Sequence, residues 1–187
     1  PSNMNKKSQR GPTPLKLSDI VVVTSNQSKI DEINAILGTS HQVSTVDVVE
    51  IQTFDLDELI SAKAKAAFEK IKKPVLVGDV SFEVKSLNGL PGPFVKFFLN
   101  TLGTEGTVKL LKGKSTKTKV TDVVAIYDGH KLKIFKGTIY GTLVAKNRGA
   151  NGFGFDKVFI PQGYKQTLAQ MPSSLKNKIS HRAKALK

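Results

Sequence analysis

Acidic side chains are scarce in this chain, with 15 Asp and Glu against 29 Lys and Arg. Each carboxylate at the end of an apolar strand is therefore a candidate for chemistry. Glu50 closes the alternating run Val43 to Val48, and Asp79 follows Val75-Leu76-Val77 in what reads as a turn. A carboxylate in such a place must be paired or bind something. Two of them can hold one Mg2+ while substrate phosphates complete its shell. The plainer alternative is an exposed Glu50 and a turn-capping Asp79.

Three further islands carry chemistry. Thr24-Ser25-Asn26-Gln27-Ser28-Lys29 joins the end of a strand to the start of a helix. Ligands collect at that place in open α/β sheets, and free N–H groups at a helix start suit phosphate. Lys29 adds charge and Asn26 a neutral donor. The segment is not a GxxxxGK[ST] loop, and Ser28 as a simple helix cap is the alternative. Asn151-Gly152-Phe153-Gly154-Phe155-Asp156 offers close backbone approach, two rings that can stack a nucleobase, and a carboxylate to accept from a base N–H. A tight turn with both Phe side chains in the core reads equally well. Last, Lys176-Asn177-Lys178-Ile179-Ser180-His181-Arg182 places Lys176 and Ser180 at helical spacing. Its Arg can present a planar fork to a purine keto oxygen, or the run is a solvated basic helix end.

The elements that must position these islands follow from periodicity. Ile20 to Thr24 is a β-branched strand. Ile30, Ile33, Ile36 and Leu37 mark one face of a helix that Gly38 closes. A second strand covers Val43 to Val48, an Ala/Glu/Lys-rich helix runs from Asp57 to Lys72, and Val75 to Val77 is a short buried strand. Phe94 to Leu102 can be helical, and Lys109 to Lys119 reads as a solvated basic loop. Val120 to Tyr127 and Leu132 to Val144 flank Asp128-Gly129, a hairpin signal. Val158 to Ile160 is a strand, and a helix starts near Ser173. Strands and helices interleave around one hairpin, so the class is α/β with a mixed sheet. The early strand–helix–strand segment favours parallel neighbours.

Composition excludes other chemistries. Without Cys there is no disulfide, thiolate zinc site, Cys nucleophile or iron–sulfur cluster. His41, His130 and His181 lie far apart, which argues against a zinc hydrolase. No apolar run approaches ~18 residues, so no membrane span is expected. Residues 1–18 read as a flexible basic tail, and Pro1 in place of an initiator Met points to a cut or processed end. Residues 19–187 read as one domain. The absence of Cys fits a reducing cytosol or nucleus, and other compartments too; the cytoplasm is the expectation. A net charge of +14 suggests a polyanion partner. Nucleic acid is possible but not favoured, because the Lys-rich stretch carries no aromatic residue and no Arg.

Taken together and in order, the islands resemble the inosine triphosphate pyrophosphatase family, enzymes that remove noncanonical purine nucleotides. Thr24 to Lys29 is similar to its (T/S)xNxxK opening, and Leu87 to Phe94 to its GxPG loop. Gly152 to Asp156 matches its GFGxD loop, and Ser180-His181-Arg182 its SHR motif. The resemblance spans about residues 20 to 187. It implies an elongated α/β fold with a mixed sheet, flanking helices and a substrate cleft, and typically a homodimer. It implies Mg2+-dependent hydrolysis of ITP, dITP or XTP to the monophosphate and pyrophosphate, with Mn2+ as a possible substitute. Carried over by position, Asn26, Lys29 and Lys63 hold the triphosphate beside Thr24, with Lys29 also counted as catalytic. Glu50 and Asp79 match metal ligands, and Asp79 the group that activates water. Phe153 stacks the base, with Gly154, Phe155 and Asp156 walling the pocket. Lys176, His181 and Arg182 read the six-keto group. Three positions depart from the pattern: Gly78 where an acid is usual, Val80 where a hydroxyl is usual, and Gln170 where Glu is usual.

Overall fold

The computed structural model describes residues 13–187. Residues 1–12 of the expected tail lie outside the described residues, and Leu17–Asp19 forms a single 3-10 turn.

One seven-stranded sheet organises the chain. β1 (Val21–Val23) is buried on both faces and pairs in parallel with β2 (Gln42–Ser44) and β3 (Val75–Val84). The crossovers are α1 (Gln27–Leu37), closed by Gly38, and α2 (Leu56–Ile71), whose start is capped by Asp55. A two-residue strand, β4 (Pro91–Gly92), adds to β3. After α3 (Val95–Thr101) and α4 (Gly103–Lys109), β5 (Lys117–Tyr127) pairs antiparallel with β3 and forms a hairpin with β6 (Leu132–Leu143). β7 (Phe159–Pro161) closes the order β2-β1-β3-β5-β6-β7. α5 (Ser173–Ile179) and α6 (His181–Leu186) finish the chain.

Strand alternation decides what each face covers. Val75, Val77, Val123 and Ala125 point to one face and are sealed by Ile60, Ala64 and Ala67 of α2. Leu76 and Val124 point to the other, against Ile33 of α1 and Ala185 of α6. Further along, Phe82, Val84 and Val120 build a third cluster with Phe155, Phe159 and Met171. α6 comes unusually close to the sheet because Gly137 of β6 lies beneath it. A Cβ there would sit 2.1 Å from the His181 carbonyl oxygen.

Four sequence expectations are corrected. β3 does not end at Val77: it pairs with β5 without interruption from Val75 to Val84, so Asp79 sits inside a strand rather than in a turn. The second strand stops at Ser44, because three-residue β1 offers no ladder beyond it. The basic stretch is no single loop: Lys109 ends α4, and Lys117 to Lys119 belong to β5 with their charged side chains on its exposed face. The last helix breaks at Ser180, whose hydroxyl accepts from the Ala183 N–H at 3.1 Å and starts α6.

Candidate active site

β1 delivers the first part of the site. Beyond Val23 the chain turns, with Thr24 Oγ1 accepting from the Asn26 N–H at 3.1 Å and Asn26 Oδ1 accepting from the Lys29 N–H at 3.2 Å. Asn26, not Ser28, therefore caps α1. Asn26 and Lys29 line a cavity of about 380 Å3, while Thr24 shapes the turn without joining the lining. No described carboxylate forms an ion pair with Lys29. Burial pushes its ammonium below the ordinary lysine range, and Arg182 and Lys63 push the same way. An anion at this spot relieves all three effects.

β3 and α2 deliver the second part. Lys63 Nζ donates to Glu50 Oε1 at 2.8 Å and to the Gly78 carbonyl at 3.0 Å, and lies 3.7 Å from Asp79 Oδ2. Burial draws Lys63 down, but Asp79 and Glu50 outweigh it and hold the ammonium above its ordinary value. Burial pushes Asp79 above the usual carboxylate range, with Lys63 opposing and Glu50 reinforcing. For the half-exposed Glu50, burial is outweighed by Lys63, which keeps the carboxyl low. Asp79 Oδ1 accepts from the Val80 N–H at 3.0 Å, while buried Oδ2 has no hydrogen-bond partner among the described residues. Asp79, Glu50 and Lys63 all line the cavity. A Cβ at Gly78 would meet Val123 and Val124 at ordinary contact distances, away from Lys63.

The loop after β6 and the last two helices deliver the third part. Gly152 has φ +72°, and a Cβ there would lie 2.1 Å from Asp156 Oδ2. That close approach lets Asp156 accept from the Phe153 N–H at 3.0 Å and from Lys176 Nζ at 2.6 Å. Burial raises Asp156, with Lys176 opposing. Phe153 lines the cavity with Lys176 Nζ 4.7 Å and the Arg182 guanidinium carbon 5.4 Å from its ring centre. Phe155 also reaches the lining but stacks on Phe82 at 4.4 Å, so for this ring the core reading holds. Lys176 and Arg182 are buried rather than solvated, and both pair with Glu32 of α1. Lys176 stands behind Phe153 and outside the cavity lining, whereas His181, Arg182, Gly154 and Asp156 are in it. Burial holds His181 well below its ordinary value, helped by Arg182, Lys176 and Lys29. The surroundings thus favour the neutral imidazole, and Nδ1 is buried with no hydrogen-bond partner among the described residues.

Sequence reasoning missed two residues. Glu32 lies one turn after Lys29 on α1, a spacing that puts both on one face. Asp122 interrupts the apolar run of β5 and is 1% exposed. A lone charge inside such a run is the signal that would have found it. Gln170 is explained as well: its side chain accepts from the Thr167 N–H at 2.9 Å, a capping contact that Glu or Gln makes equally.

Fold and cleft together define an α/β protein with a pocket that is cationic and carboxylate-bearing at one end and aromatic at the other. The sequence model of the Ham1 family matches residues 20–187, and the chain belongs to that family. It is 42% identical over 176 residues to the inosine triphosphate pyrophosphatase of Yarrowia lipolytica, covering 89% of this chain and 91% of the relative. It is 35% identical over 170 residues to the dITP/XTP pyrophosphatase of Hyperthermus butylicus, covering 89% and 90%. Among solved structures, a HAM1 protein from Coxiella burnetii superposes with a TM-score of 0.77 at 26% identity, covering 89% of this chain and 93% of that one.

Proposed function

We propose that this protein hydrolyses the noncanonical purine nucleotides ITP, dITP and XTP to the monophosphate and pyrophosphate. The observation that carries the reading is one cavity lined both by Lys29, Lys63, Glu50 and Asp79 and by Phe153, His181 and Arg182. The names of the relatives at 35% and 42% identity support the substrate class.

Water attacks the α-phosphorus, the bond from that phosphorus to the bridging oxygen breaks, and pyrophosphate leaves with the electron pair. Such chemistry is governed by positioning and charge neutralisation. Lys29 and Lys63 meet the phosphates. Asp79 Oδ2, buried and without a hydrogen-bond partner, is the group suited to orient the water and take its proton. Glu50 and Asp79 also fit a hard divalent cation, since both are oxygen donors on the cavity wall and phosphates can complete the shell. Mg2+, with Mn2+ as substitute, is the ion proposed; when bound it polarises the phosphate and neutralises developing charge. At the other end Phe153 stacks the base. The buried, unpartnered Nη2 of Arg182 favours a keto oxygen; an adenine amino group leaves such a donor unpaired, at about 1–3 kcal/mol.

A nucleotide-panel assay tests this. Pyrophosphate release from ITP, dITP and XTP with Mg2+ is expected to exceed that from ATP at least tenfold. No turnover of any of the three with either metal would sink the reading. One observation favours a second reading, a nucleotide binder with weak turnover: Gly78 and Val80 stand where the family pattern has an acid and a hydroxyl, leaving Glu50 and Asp79 as the carboxylates of the phosphate end. Tight ITP binding by calorimetry with negligible product would select it. A homodimer is also proposed. Exposed Phe54 packs edge-on against Phe94, and Ile51 and Phe97 lie beside the same ring. Sedimentation at twice the monomer mass, lost in Phe97→Glu, is the expected outcome.

A further inference from the structure

Asp122 is the most enclosed carboxylate of the site, and the proposed reaction does not use it. It lies in the middle of β5, opposite Val80 of β3 and Gly137 of β6. Its Oδ2 is 3.6 Å from Arg182 Nε and has no hydrogen-bond partner. Arg182 reaches it only because Gly137 has no side chain, which lets the first turn of α6 rest on the sheet. From α1, Glu32 accepts from Arg182 Nη1. Glu32 thus takes a hydrogen bond from one guanidinium nitrogen, the Asp122 charge faces a second, and the third, Nη2, is buried with no hydrogen-bond partner among the described residues. A rigid planar fork hydrogen-bonded at one nitrogen and drawn by a second carboxylate from another element is confined in position.

We infer that Asp122 is a positioning residue of the purine pocket, which fixes the Arg182 guanidinium so that its remaining donor is presented to a keto oxygen of the base. The inference rests on the proposed nucleotide reading. A second observation separates this role from plain stabilisation. Burial strongly disfavours the ionised carboxylate, Arg182 and Lys29 relieve this only in part, and Asp79 and Glu32 add to it. A group kept against its own desolvation is expected where function, not stability, holds it in place. At 3.6 Å the contact is one of charge rather than a hydrogen bond, so Asp122→Asn removes it with little change of shape.

Three readouts test the inference. In the first, Asp122→Asn is expected to melt higher than wild type at pH 7.5. In the second, it binds ITP roughly tenfold more weakly, with affinity for inorganic tripolyphosphate, which needs only the lysine end, unchanged. A lower melting temperature with equal losses on both ligands would assign a merely structural role and overturn the inference, as would unchanged ITP affinity. The third readout needs no nucleotide. The chain has only three Arg residues, Arg10, Arg148 and Arg182, so 15N-arginine labelling gives a simple Nε–H spectrum. The Arg182 signal, assigned by its loss in Arg182→Lys, is expected to shift in Asp122→Asn and exchange faster with water. An unmoved signal overturns the inference. A wild-type protein that ignored ITP would count against the proposed function instead, with the coupling still decided by the spectrum.

Discussion

The two ends of the cleft are built from the same kinds of side chain and behave in opposite ways. At the phosphate end, among the described residues, Lys29 has no ion-pair partner, Asp79 and half-exposed Glu50 share Lys63, and Asp79 Oδ2 accepts no hydrogen bond. At the base end Lys176 and Arg182 are fully buried and tied to Glu32, Asp156 and Asp122, three carboxylates for two cations. One end keeps Lys29 without a counter-charge, free for an anion, beside the Lys63 ion pairs. The other is neutralised from within and preorganised. On the proposed function, selectivity resides in the internally paired end and turnover in the end that keeps a cation for the substrate.

Mutations that cut the open end should destroy activity and spare the fold. Asp79→Asn is expected to lower kcat about 10²- to 10⁴-fold without lowering the melting temperature, because it removes a carboxylate that burial disfavours. Steady-state kinetics beside a thermal melt checks this; a collapse in stability would move Asp79 to the structural side of the comparison. Lys29→Ala should cost roughly 10²-fold in kcat/KM, in keeping with a charged contact of about 3 kcal/mol. It too should leave the melt unchanged or higher, since no internal partner is lost.

The locked end should respond in the reverse sense. Glu32→Ala takes from Lys176 and Arg182 the carboxylate they share, and breaking a buried ion pair from one side costs about 3–5 kcal/mol. A denaturant titration is expected to show a loss in that range, together with weakened ITP binding. A loss below 1 kcal/mol would mean that the end is not locked.

Asp122 blurs the division, and pH reveals how. Its carboxyl is pushed up to about 6 from the model-compound value of 3.8. The folded protein keeps a proton that the unfolded chain releases in that window. Stability therefore falls as pH rises from about 4 to 6, by up to about 3 kcal/mol from this group. The gap between Asp122→Asn and wild type should open across this window and be absent below it. Melting curves at pH 4, 5, 6 and 7.5 follow it directly. The smallest effect is expected at Gln170. Gln170→Glu keeps the capping contact with Thr167 and should change stability by less than about 0.5 kcal/mol and leave turnover unchanged. A clear rate gain would instead bring that position into the open end.

What the residue order determined by itself was local. β-branched runs, amphipathic spacing, Gly38 and Asp128-Gly129 defined most elements, because their causes lie within a few residues of one another. The same holds for the four motif islands, which were legible as a set and led to the family. Where strand limits were misread, the cause lay in a partner. Asp79 falls inside β3 because β5 offers an unbroken ladder, and the second strand stops early because β1 is short. Only the tertiary structure decided which charges are free. Lys29 and Lys176 look equally available as sequence. Glu32 and Asp156 pair with Lys176, and no described carboxylate pairs with Lys29, because α5 and the Gly152 turn converge on one and not on the other. Desolvation and pairing are properties of the packed surroundings, so the contact of Asp122 with Arg182 exists only because Gly137 lets α6 down onto the sheet.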